Sequence, residues 1–296
     1  MYEKIKECPL CKSTNFTNHI IAEDYMVSHE NFAVVKCDQC NFLITNPRPA
    51  KNNISKYYLS ADYISHTDKA INPVQLVYKL ARNYTLYQKV KLLNQLLIKG
   101  EPKSVLDIGC GTGDFLYTCK KNNWQVNGFE PEEQARQLAV QKNGLVIADQ
   151  LKNLKPNLKY SIITLWHVLE HVHDLDEMML VLKKQLTRKG RVILALPNPN
   201  SWDAKHYDKY WAAWDLPRHL YHFTKDTVKV MAKKYEFKID KILPMKLDSF
   251  YVSMLSEKYK TGTNNYYKAI INGIESNNKS KVNDNNYSSL IYILKK

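Results

Sequence analysis

The sequence predicts an α/β fold in which helices cover a doubly wound parallel sheet and a small cysteine-containing module precedes it. Short apolar runs alternate with helical patterns from residue 104 to residue 245, as in proteins whose parallel strands are joined by helices. The first run ends in an acid and a glycine-rich turn, Asp107–Gly113, which is typical of a strand that turns sharply into a helix. Two Cys-x-x-Cys pairs near the start of the chain predict the separate module.

Composition limits the possible partners. The 296 residues carry a formal net charge of +14, spread along the chain and supplied almost entirely by lysine. Phosphate and base recognition relies heavily on arginine, so this composition argues against a nucleic-acid partner. No apolar stretch approaches the roughly 18–20 residues that span a bilayer, and the first residues lack the apolar region of a signal peptide. We therefore expect a cytoplasmic protein with no membrane insertion.

The two cysteine pairs are Cys8 with Cys11 and Cys37 with Cys40. Each pair can place two thiolates on one tight turn, and two such turns complete a tetrahedral zinc site. Chance pairs and disulfides are the alternatives, and disulfides belong to secreted proteins. A site made of four cysteines leaves no open position, so the pattern predicts a structural Zn²⁺ in a ribbon-like module with a strand over residues 32–36.

The segment after this module is predicted to be extended and then helical. Pro47 and Pro49 make a rigid exit, and three tyrosines follow, of which Tyr63 is the last. Apolar residues at helical spacing between residues 75 and 97 then predict a long helix that leans on the main domain or forms a lid. The expected domains are a zinc-ribbon module over 1–50, a helical linker or lid over 51–100, and the main domain over 101–296.

The elements of the main domain follow in alternation. Strands are expected at 104–108, 125–130, 144–148, 160–165, 191–196 and 237–245, and helices at about 114–122, 132–142, 174–187 and 224–235. The apolar run 288–294 is expected to pair antiparallel beside the strand 237–245. The Asn/Lys-rich piece from about 260 to 286 is predicted to be a surface insertion or a poorly ordered loop.

Polar residues follow the predicted strands where ligands bind in such sheets, at the carboxyl ends near the topological switch point. Asp107, Glu130 and Asp149 follow three successive strands. Trp166 and His167 follow the next one. A single acid in such a place is usually a helix cap, whereas three beside a glycine turn predict a binding site.

Three segments carry a family resemblance: Val-Leu-Asp-Ile-Gly-Cys-Gly-Thr-Gly (105–113), Gly-Phe-Glu-Pro (128–131) and Trp-His-Val-Leu-Glu-His-Val (166–172). Together they resemble the class I S-adenosylmethionine-dependent methyltransferases over about residues 100–296. The resemblance implies a Rossmann-like, seven-stranded sheet with a reversed last strand. The cysteine module, followed by Asn-Pro-Arg-Pro and the tyrosines, is similar to a bacterial subgroup with N-terminal zinc-binding regions that includes sugar C-methyltransferases.

The resemblance also implies a set of cofactor contacts. The three glycines of the turn would flank the methionine part of S-adenosylmethionine, Glu130 would hold the ribose, and Asp149 would hold the adenine. The full set of cofactor-binding candidates is Asp107, Gly109, Cys110, Gly111, Gly113, Glu130, Pro131, Asp149, Trp166, His167 and Tyr63.

Methyl transfer needs a base only where the acceptor must lose a proton. The first candidate for this catalytic role is His167, since it lies just after the strand expected to abut the transferable methyl group. The other candidates are Glu170, His171, Arg218, His219, Tyr221 and His222. The aromatic-rich loop 202–223 is expected to form a wall of the acceptor pocket, with simple packing as the plainer alternative. Residues 167–171 also spell His-x-x-Glu-His, a metalloprotease pattern, but that motif belongs inside a helix. Here it begins at a strand end, which argues against a catalytic metal.

Three functions remain open on the sequence. The first is methylation of a small-molecule acceptor (a sugar, a quinone-like or lipid-like molecule, or a glycan) on oxygen or carbon. The second is RNA methylation with the ribbon gripping the RNA, which the nearly neutral charge of residues 1–60 disfavours. The third is a non-catalytic S-adenosylmethionine-binding protein, against which the complete set of strand-end acids argues.

Overall fold

The structure, a computed structural model, describes residues 1–58, 73–154 and 157–296. The chain divides into two compact units. The first comprises the described part of Met1–His66 together with Leu169–Asp176 and Ala195–Tyr292, and the second comprises the described part of Thr67–Val168 together with Glu177–Leu194 and Ile293–Lys296. The domain boundaries at residues 50 and 100 stay a prediction.

Strands and helices alternate through the main part of the chain. The described strands are β1 (Tyr2–Glu3), β2 (Phe16–Glu23), β3 (Asn31–Cys37), β4 (Leu43–Thr45), β5 (Arg48–Pro49), β6 (Ser104–Ile108), β7 (Gln125–Phe129), β8 (Ile147–Ala148), β9 (Tyr160–Trp166), β10 (Leu186–Pro197), β11 (Tyr221–His222), β12 (Lys238–Pro244) and β13 (Ser289–Lys295). The described helices are α1 (Pro73–Leu96), α2 (Asp114–Lys121), α3 (Glu133–Asn143), α4 (Leu175–Gln185), α5 (Trp202–Tyr207), α6 (Lys225–Lys234), α7 (Asp248–Thr261) and α8 (Tyr266–Val282). None of the described helices is both long enough and apolar enough to cross a membrane.

The largest sheet has seven strands in the order β12-β13-β10-β9-β6-β7-β8. Strands β9, β6, β7 and β8 pair in parallel. Strand β13 enters from the opposite end, because the amide of Met245 after β12 and the amide of Asn198 after β10 donate to the carbonyls of Ser289 and Ser288, where β13 begins. The predicted doubly wound sheet, with its terminal strand beside β12, is confirmed.

The N-terminal strands form two further sheets. β1 pairs with β5, and a four-stranded antiparallel sheet has the order β11-β4-β3-β2. The outer strand β11 comes from residues 221–222, far along the chain, so the cysteine-containing segment shares a sheet with the region after β10. The expected strand over 32–36 lies within β3.

The alternative of a poorly ordered loop for residues 260–286 is wrong. Most of this segment is the helix α8, whose N-terminus is capped by the side chain of Asn265 accepting from the amide of Lys268. The helix α7 before it was not predicted at all. α8 buries small and polar residues rather than large apolar ones, and α7 buries four polar residues beside Val252, so hydrophobic periodicity gives only a weak signal for both helices.

The segment 202–223 is not an open loop. It forms α5, two short 3-10 turns at Asp208–Tyr210 and Ala212–Trp214, and β11. Trp211 and Trp214 are buried in the hydrophobic core of the first unit, among residues from β2, β3 and α7. Their density reflects core packing, which was the plainer interpretation of this segment.

Candidate functional site

The three glycines of the turn after β6 all have positive φ, a conformation that other residues rarely adopt. Two of them are required by packing inside the second unit. A Cβ on Gly109 would lie 2.5 Å from Val168, and one on Gly113 would lie 2.6 Å from Leu145. A Cβ on Gly111 would meet nothing within 4 Å. Only the middle glycine therefore opens the backbone toward a ligand.

Asp107 lies just before this turn and is buried in the sheet. Its register in β6 places it beside Thr164 of β9, whose hydroxyl donates to the carboxylate at 2.6 Å. Burial raises the pKa of Asp107 to about 7, against the opposing effects of the Thr164 hydrogen bond and the Lys89 ammonium. This carboxyl group therefore titrates near neutral pH.

Glu130 follows β7 and is also buried. One carboxylate oxygen accepts from the amide of Gly111 at 2.8 Å, and the other accepts from the amide of Glu132 at 2.9 Å. Burial raises its pKa, while those amide hydrogen bonds act in the opposite direction. Glu130 thus joins the ends of two neighbouring strands.

Two further cofactor candidates are neighbours of these residues in the sequence. Cys110, in the glycine turn, is buried. Pro131, which follows Glu130, is exposed, and its carbonyl accepts a hydrogen bond from Arg136.

Asp149 follows the short strand β8 and is exposed. Its carboxylate accepts from the side-chain amide of Asn153 at 2.6 Å, which lowers its pKa. β8 is shorter than expected because Gly144, left-handed with φ of 56°, caps the C-terminus of α3 and delays the strand. The acid nevertheless stands at the carboxyl end of the third successive parallel strand, where the sequence places it.

Trp166 ends β9 and carries a buried indole N–H for which the described residues supply no acceptor. Its ring meets Phe115 edge-on at 5.7 Å, and the Lys89 ammonium lies 4.2 Å from its centroid. His167 comes next with a positive φ of 56°, a left-handed conformation that histidine adopts more often than most residues other than glycine. The remaining cofactor candidate, Tyr63, lies outside the described residues.

Two of the candidate catalytic histidines meet in the first unit. The rings of His171 and His219 are 4.6 Å apart and nearly perpendicular. The Nδ1 atom of His219 lies 2.9 Å from the carbonyl oxygen of Ala213, so Nδ1–H donates to that oxygen. That Nε2 lies 3.9 Å from Glu170 and 3.7 Å from Asp215.

His171 shares the same pattern. Its Nδ1 atom lies 3.1 Å from the carbonyl oxygen of Arg218 and 3.1 Å from the hydroxyl of Tyr58. Burial lowers the pKa of His171 to about 4, helped by the neighbouring His219 and opposed by Glu170. His171 is therefore neutral around pH 7, and its other ring nitrogen can accept a proton.

Glu170, His171 and His219 together form a group whose potential ligand atoms lie within 4.8 Å of one another. Glu170 and His171 belong to the His-x-x-Glu-His pattern and lie in a short 3-10 turn, Leu169–His171, rather than in a long helix. Its first histidine, His167, belongs to the second unit. A distant residue, His219, therefore completes the group in place of the motif's own first member.

His222 has a different environment. It lies in β11, is buried, and packs edge-on against Trp214 at 5.1 Å. Its Nε2 atom is 3.1 Å from the hydroxyl of Thr45, which itself donates to the carbonyl of His219. Burial lowers the pKa of His222 well below its ordinary value. These contacts join β11 to β4.

The four paired cysteines also converge. All their sulfur atoms lie within 4.8 Å of one another, and Cys8 to Cys40 and Cys11 to Cys37 are each 3.5 Å apart. The two turns share one backbone pattern, because the amides of Lys12 and Asn41 donate to the carbonyls of Cys8 and Cys37 respectively. Lys12 and Asn41 are both left-handed. No disulfide is present among the six cysteines.

A family model described as a methyltransferase domain matches residues 80–242, more than half of the chain. The chain belongs to this methyltransferase family. It is therefore an enzyme of methyl transfer, and the match covers the glycine turn, the strand-end acids and all four candidate histidines.

Individual methyltransferases are similar at low identity. A demethylmenaquinone methyltransferase of Thermotoga maritima is 25% identical over 159 residues, which are 48% of this chain and 69% of that protein. A ubiquinone biosynthesis O-methyltransferase of Rickettsia bellii is 25% identical over 43% of this chain. That match spans 52% of the relative, about half of its length. The magnesium protoporphyrin IX methyltransferase of Synechocystis PCC 6803, solved with bound SAH, shares the fold with a TM-score of 0.51 at 18% identity, covering 81% of this chain and 97% of that one.

Sequence reasoning missed two residues of the second unit that contact the predicted site. Thr164, the hydrogen-bond donor to Asp107, faces it across the parallel pair β6 and β9, and aligning those two predicted strands would have found it. Lys89 reaches Trp166 from α1. Nothing in the sequence marks this lysine, because the docking of α1 places it there.

Proposed function

We propose that this methyltransferase uses S-adenosylmethionine to methylate a small-molecule acceptor. The observation that supports it most is the open backbone at Gly111, flanked by the buried carboxyl groups of Asp107 and Glu130 at the ends of adjacent parallel strands. Ligands of open α/β sheets bind at this edge. The proposal assigns cofactor binding to the second unit.

The residues of this edge fit the cofactor in charge and in hydrogen-bonding capacity. Glu130 would hold the ribose hydroxyls and Asp149 the adenine amino group, as carboxylates accept from both. The face of Trp166 and the carboxyl of Asp107 both attract positive charge, as the neighbouring Lys89 ammonium does here, and this supports a cationic ligand. The buried indole N–H of Trp166 offers a further donor.

S-adenosylmethionine supplies a methyl group activated by a sulfonium. The chain's own task is to hold the reactants in line, exclude water and take a proton where the acceptor carries one. His171 and His219 are our leading candidates for the base, because their rings lie 4.6 Å apart and each Nδ1 donates to a backbone carbonyl that orients the ring. His167 and His222 stay candidates, although the contacts of His222 serve the sheet.

We favour a quinone-like or lipid-like acceptor, ahead of a sugar or a glycan. The similar methyltransferases of Thermotoga maritima and Rickettsia bellii are named for demethylmenaquinone and for ubiquinone biosynthesis. An O–H acceptor would require a base that takes its proton. Whether oxygen or carbon receives the methyl group follows from the acceptor.

We further infer that Cys8, Cys11, Cys37 and Cys40 hold a structural Zn²⁺, which places the chain in the subgroup with an N-terminal zinc ribbon. Four thiolates are the donor set of a closed zinc site. The sulfur distances and the repeated backbone turn support this assignment. Such an ion would stabilise the short strands around it rather than take part in methyl transfer.

The cofactor assignment is tested by calorimetry with S-adenosylmethionine and S-adenosylhomocysteine. We expect both to bind, and Gly111→Arg to weaken binding at least about a hundredfold because the new side chain enters the only open part of the turn. Gly100→Arg is the matched control, since Gly100 also has positive φ and open space in the same unit. Equal loss in both variants, or retained binding in Gly111→Arg, would contradict the assignment. Tighter binding in the presence of a short RNA would favour the RNA alternative.

A further inference from the structure

Helix α8 of the first unit has a reversed burial pattern, with polar residues facing inward and apolar residues facing outward. Its buried residues are small or polar, namely Ala269, Asn272, Gly273, Ser276 and Ser280. Its exposed residues are mostly large and apolar, namely Tyr266, Tyr267, Ile270, Ile271, Ile274 and Val282. Surface helices ordinarily show the reverse pattern, with the apolar stripe facing the core. We call these six exposed residues, together with Tyr251 of α7, the α8 face.

The inner side of α8 packs closely against α7 and is hydrogen-bonded to it. A Cβ on Gly273 would lie 2.6 Å from Phe250 of α7, so the two helices approach as closely as glycine permits. The carbonyl of Gly273 accepts from Ser249, and Asn272 donates to Glu257, which is buried. Rotating α8 about its axis to bury its isoleucines would break these hydrogen bonds and leave their donors and acceptors buried without partners. The α8 face is therefore held outward.

The exposure of this face is large. Tyr267 is 77% exposed, Ile270 54% and Ile274 48%. They recur at positions i, i+3 and i+7, so they lie on one side of the helix. An apolar patch of this kind on a monomer marks a surface that contacts something.

The charges around the α8 face are mainly positive. Exposed lysines are present on or beside both helices, at Lys246, Lys258, Lys260, Lys268, Lys279 and Lys281. The acids on or beside the two helices are Asp248, the buried Glu257, Glu275, which pairs with Lys279 at 3.6 Å, and Asp284, which pairs with Lys225 at 3.1 Å. A second copy of the chain would bring two such positive surfaces together, whereas an anionic lipid surface would attract them.

We propose that the α8 face docks the enzyme on the surface of an anionic membrane. α8 would lie in the plane of the interface, with its isoleucines and tyrosines among the lipid chains and headgroups and its lysines at the phosphates. This is binding to the surface, consistent with the finding that none of the described helices spans a bilayer. The inference rests on α7 and α8 and is independent of the acceptor.

The test is flotation of the full-length protein with vesicles of phosphatidylcholine, alone or with about one-third phosphatidylglycerol. We expect binding to the anionic vesicles only. Ile270→Ser/Ile274→Ser should weaken it at least about tenfold by removing apolar burial, and Lys268→Gln/Lys279→Gln about twentyfold by removing two charges at the surface. Circular dichroism and S-adenosylmethionine calorimetry should be unchanged in both, because all four side chains are exposed.

Val146→Ser/Leu180→Ser is the matched control. Both residues are exposed apolar side chains of the second unit, at 71% and 59%, and their loss should leave flotation unchanged. Three results would each overturn the proposal: no flotation with anionic vesicles, undiminished flotation of the Ile270/Ile274 variant, or equal binding to neutral vesicles. A dimer in sedimentation that the Ile270/Ile274 variant dissociates, without vesicle binding, would assign the face to a second copy instead. Calorimetry with S-adenosylmethionine reports on the proposed function separately.

Discussion

The two units build their polar clusters in different ways. In the second unit, Asp107, Glu130 and Asp149 follow three successive parallel strands, and each reaches the sheet edge through its own short stretch of sequence. In the first unit, His171 and His219 come from separate stretches and meet only because the chain folds back. The four cysteines lie between these cases, since two local turns must be brought together by the β2–β3 hairpin.

This difference has a consequence for how each cluster fails. A cluster made by strand ends depends on backbone geometry, so a change at a glycine should disturb it most. A cluster made by tertiary contact depends on buried side chains, so the protonation of those side chains and the binding of a ligand to them should govern its stability. Substitutions at these positions test that contrast.

Cys37→Ser should release zinc and lower the free energy of unfolding of the first unit by about 5 kcal/mol, because the ion contributes its binding energy to folding. Metal analysis of protein purified without chelator, followed by urea unfolding, measures both. Cys119→Ser is the control, since Cys119 is buried but lies outside the four-cysteine group. Unmodified protein without zinc would rule out the metal.

Asp107→Asn should remove a pH dependence of stability. With its pKa raised to about 7, the folded carboxyl keeps a proton that the unfolded chain releases near pH 4. The free energy of unfolding therefore falls as pH rises from about 4 to 7, by a total of about 4 kcal/mol. In Asp107→Asn this decrease should be absent, because the amide does not titrate.

Urea unfolding across this pH range measures the effect of Asp107. The exposed Asp149→Asn variant is the control and should keep the slope of the unmodified protein. Cofactor affinity should also rise between pH 6 and 8, as an ionised Asp107 attracts a cation. An unchanged stability slope in Asp107→Asn would show that this carboxyl does not titrate near neutrality.

Gly113→Ala should lower the free energy of unfolding by about 3 kcal/mol, combining positive φ with a Cβ that would crowd Leu145 and Ala139. Gly111→Ala shares the backbone strain but not the crowding, so it should cost about 1 kcal/mol and instead weaken cofactor binding. Chemical unfolding of the pair separates packing from ligand access. Equal decreases in the free energy of unfolding of the two variants would show that crowding at Gly113 does not contribute to stability.

His171→Gln should lessen the loss of stability in mild acid. The pKa of His171 is lowered to about 4, so the unfolded chain binds a proton near pH 6.5 that the folded chain refuses. The free energy of unfolding of the unmodified protein therefore falls as pH drops from about 6.5 to 4, by about 2 kcal/mol after discounting for partial exposure. Unfolding of His171→Gln beside the exposed His29→Gln checks it, and identical slopes would count against it.

Much of the fold was predictable because its signals are local. The bounds of β6, α2 and β9 agree with the sequence within a residue or so, since buried parallel strands are short apolar runs ended by turns. The prediction failed at α7 and α8, where serine, asparagine and glycine are buried and isoleucine is exposed. Hydrophobic periodicity assumes that apolar side chains face inward, and those of α8 do not.

The sequence by itself determined the glycine turn, the three strand-end acids and the two cysteine turns, because each is encoded within a few consecutive residues. Tertiary structure alone decided that Thr164 holds Asp107, that Lys89 lies over Trp166, and that His219 joins Glu170 and His171. It also decided that β11 completes the N-terminal sheet. These contacts join elements far apart in the chain, and their partners are chosen by packing rather than by local pattern.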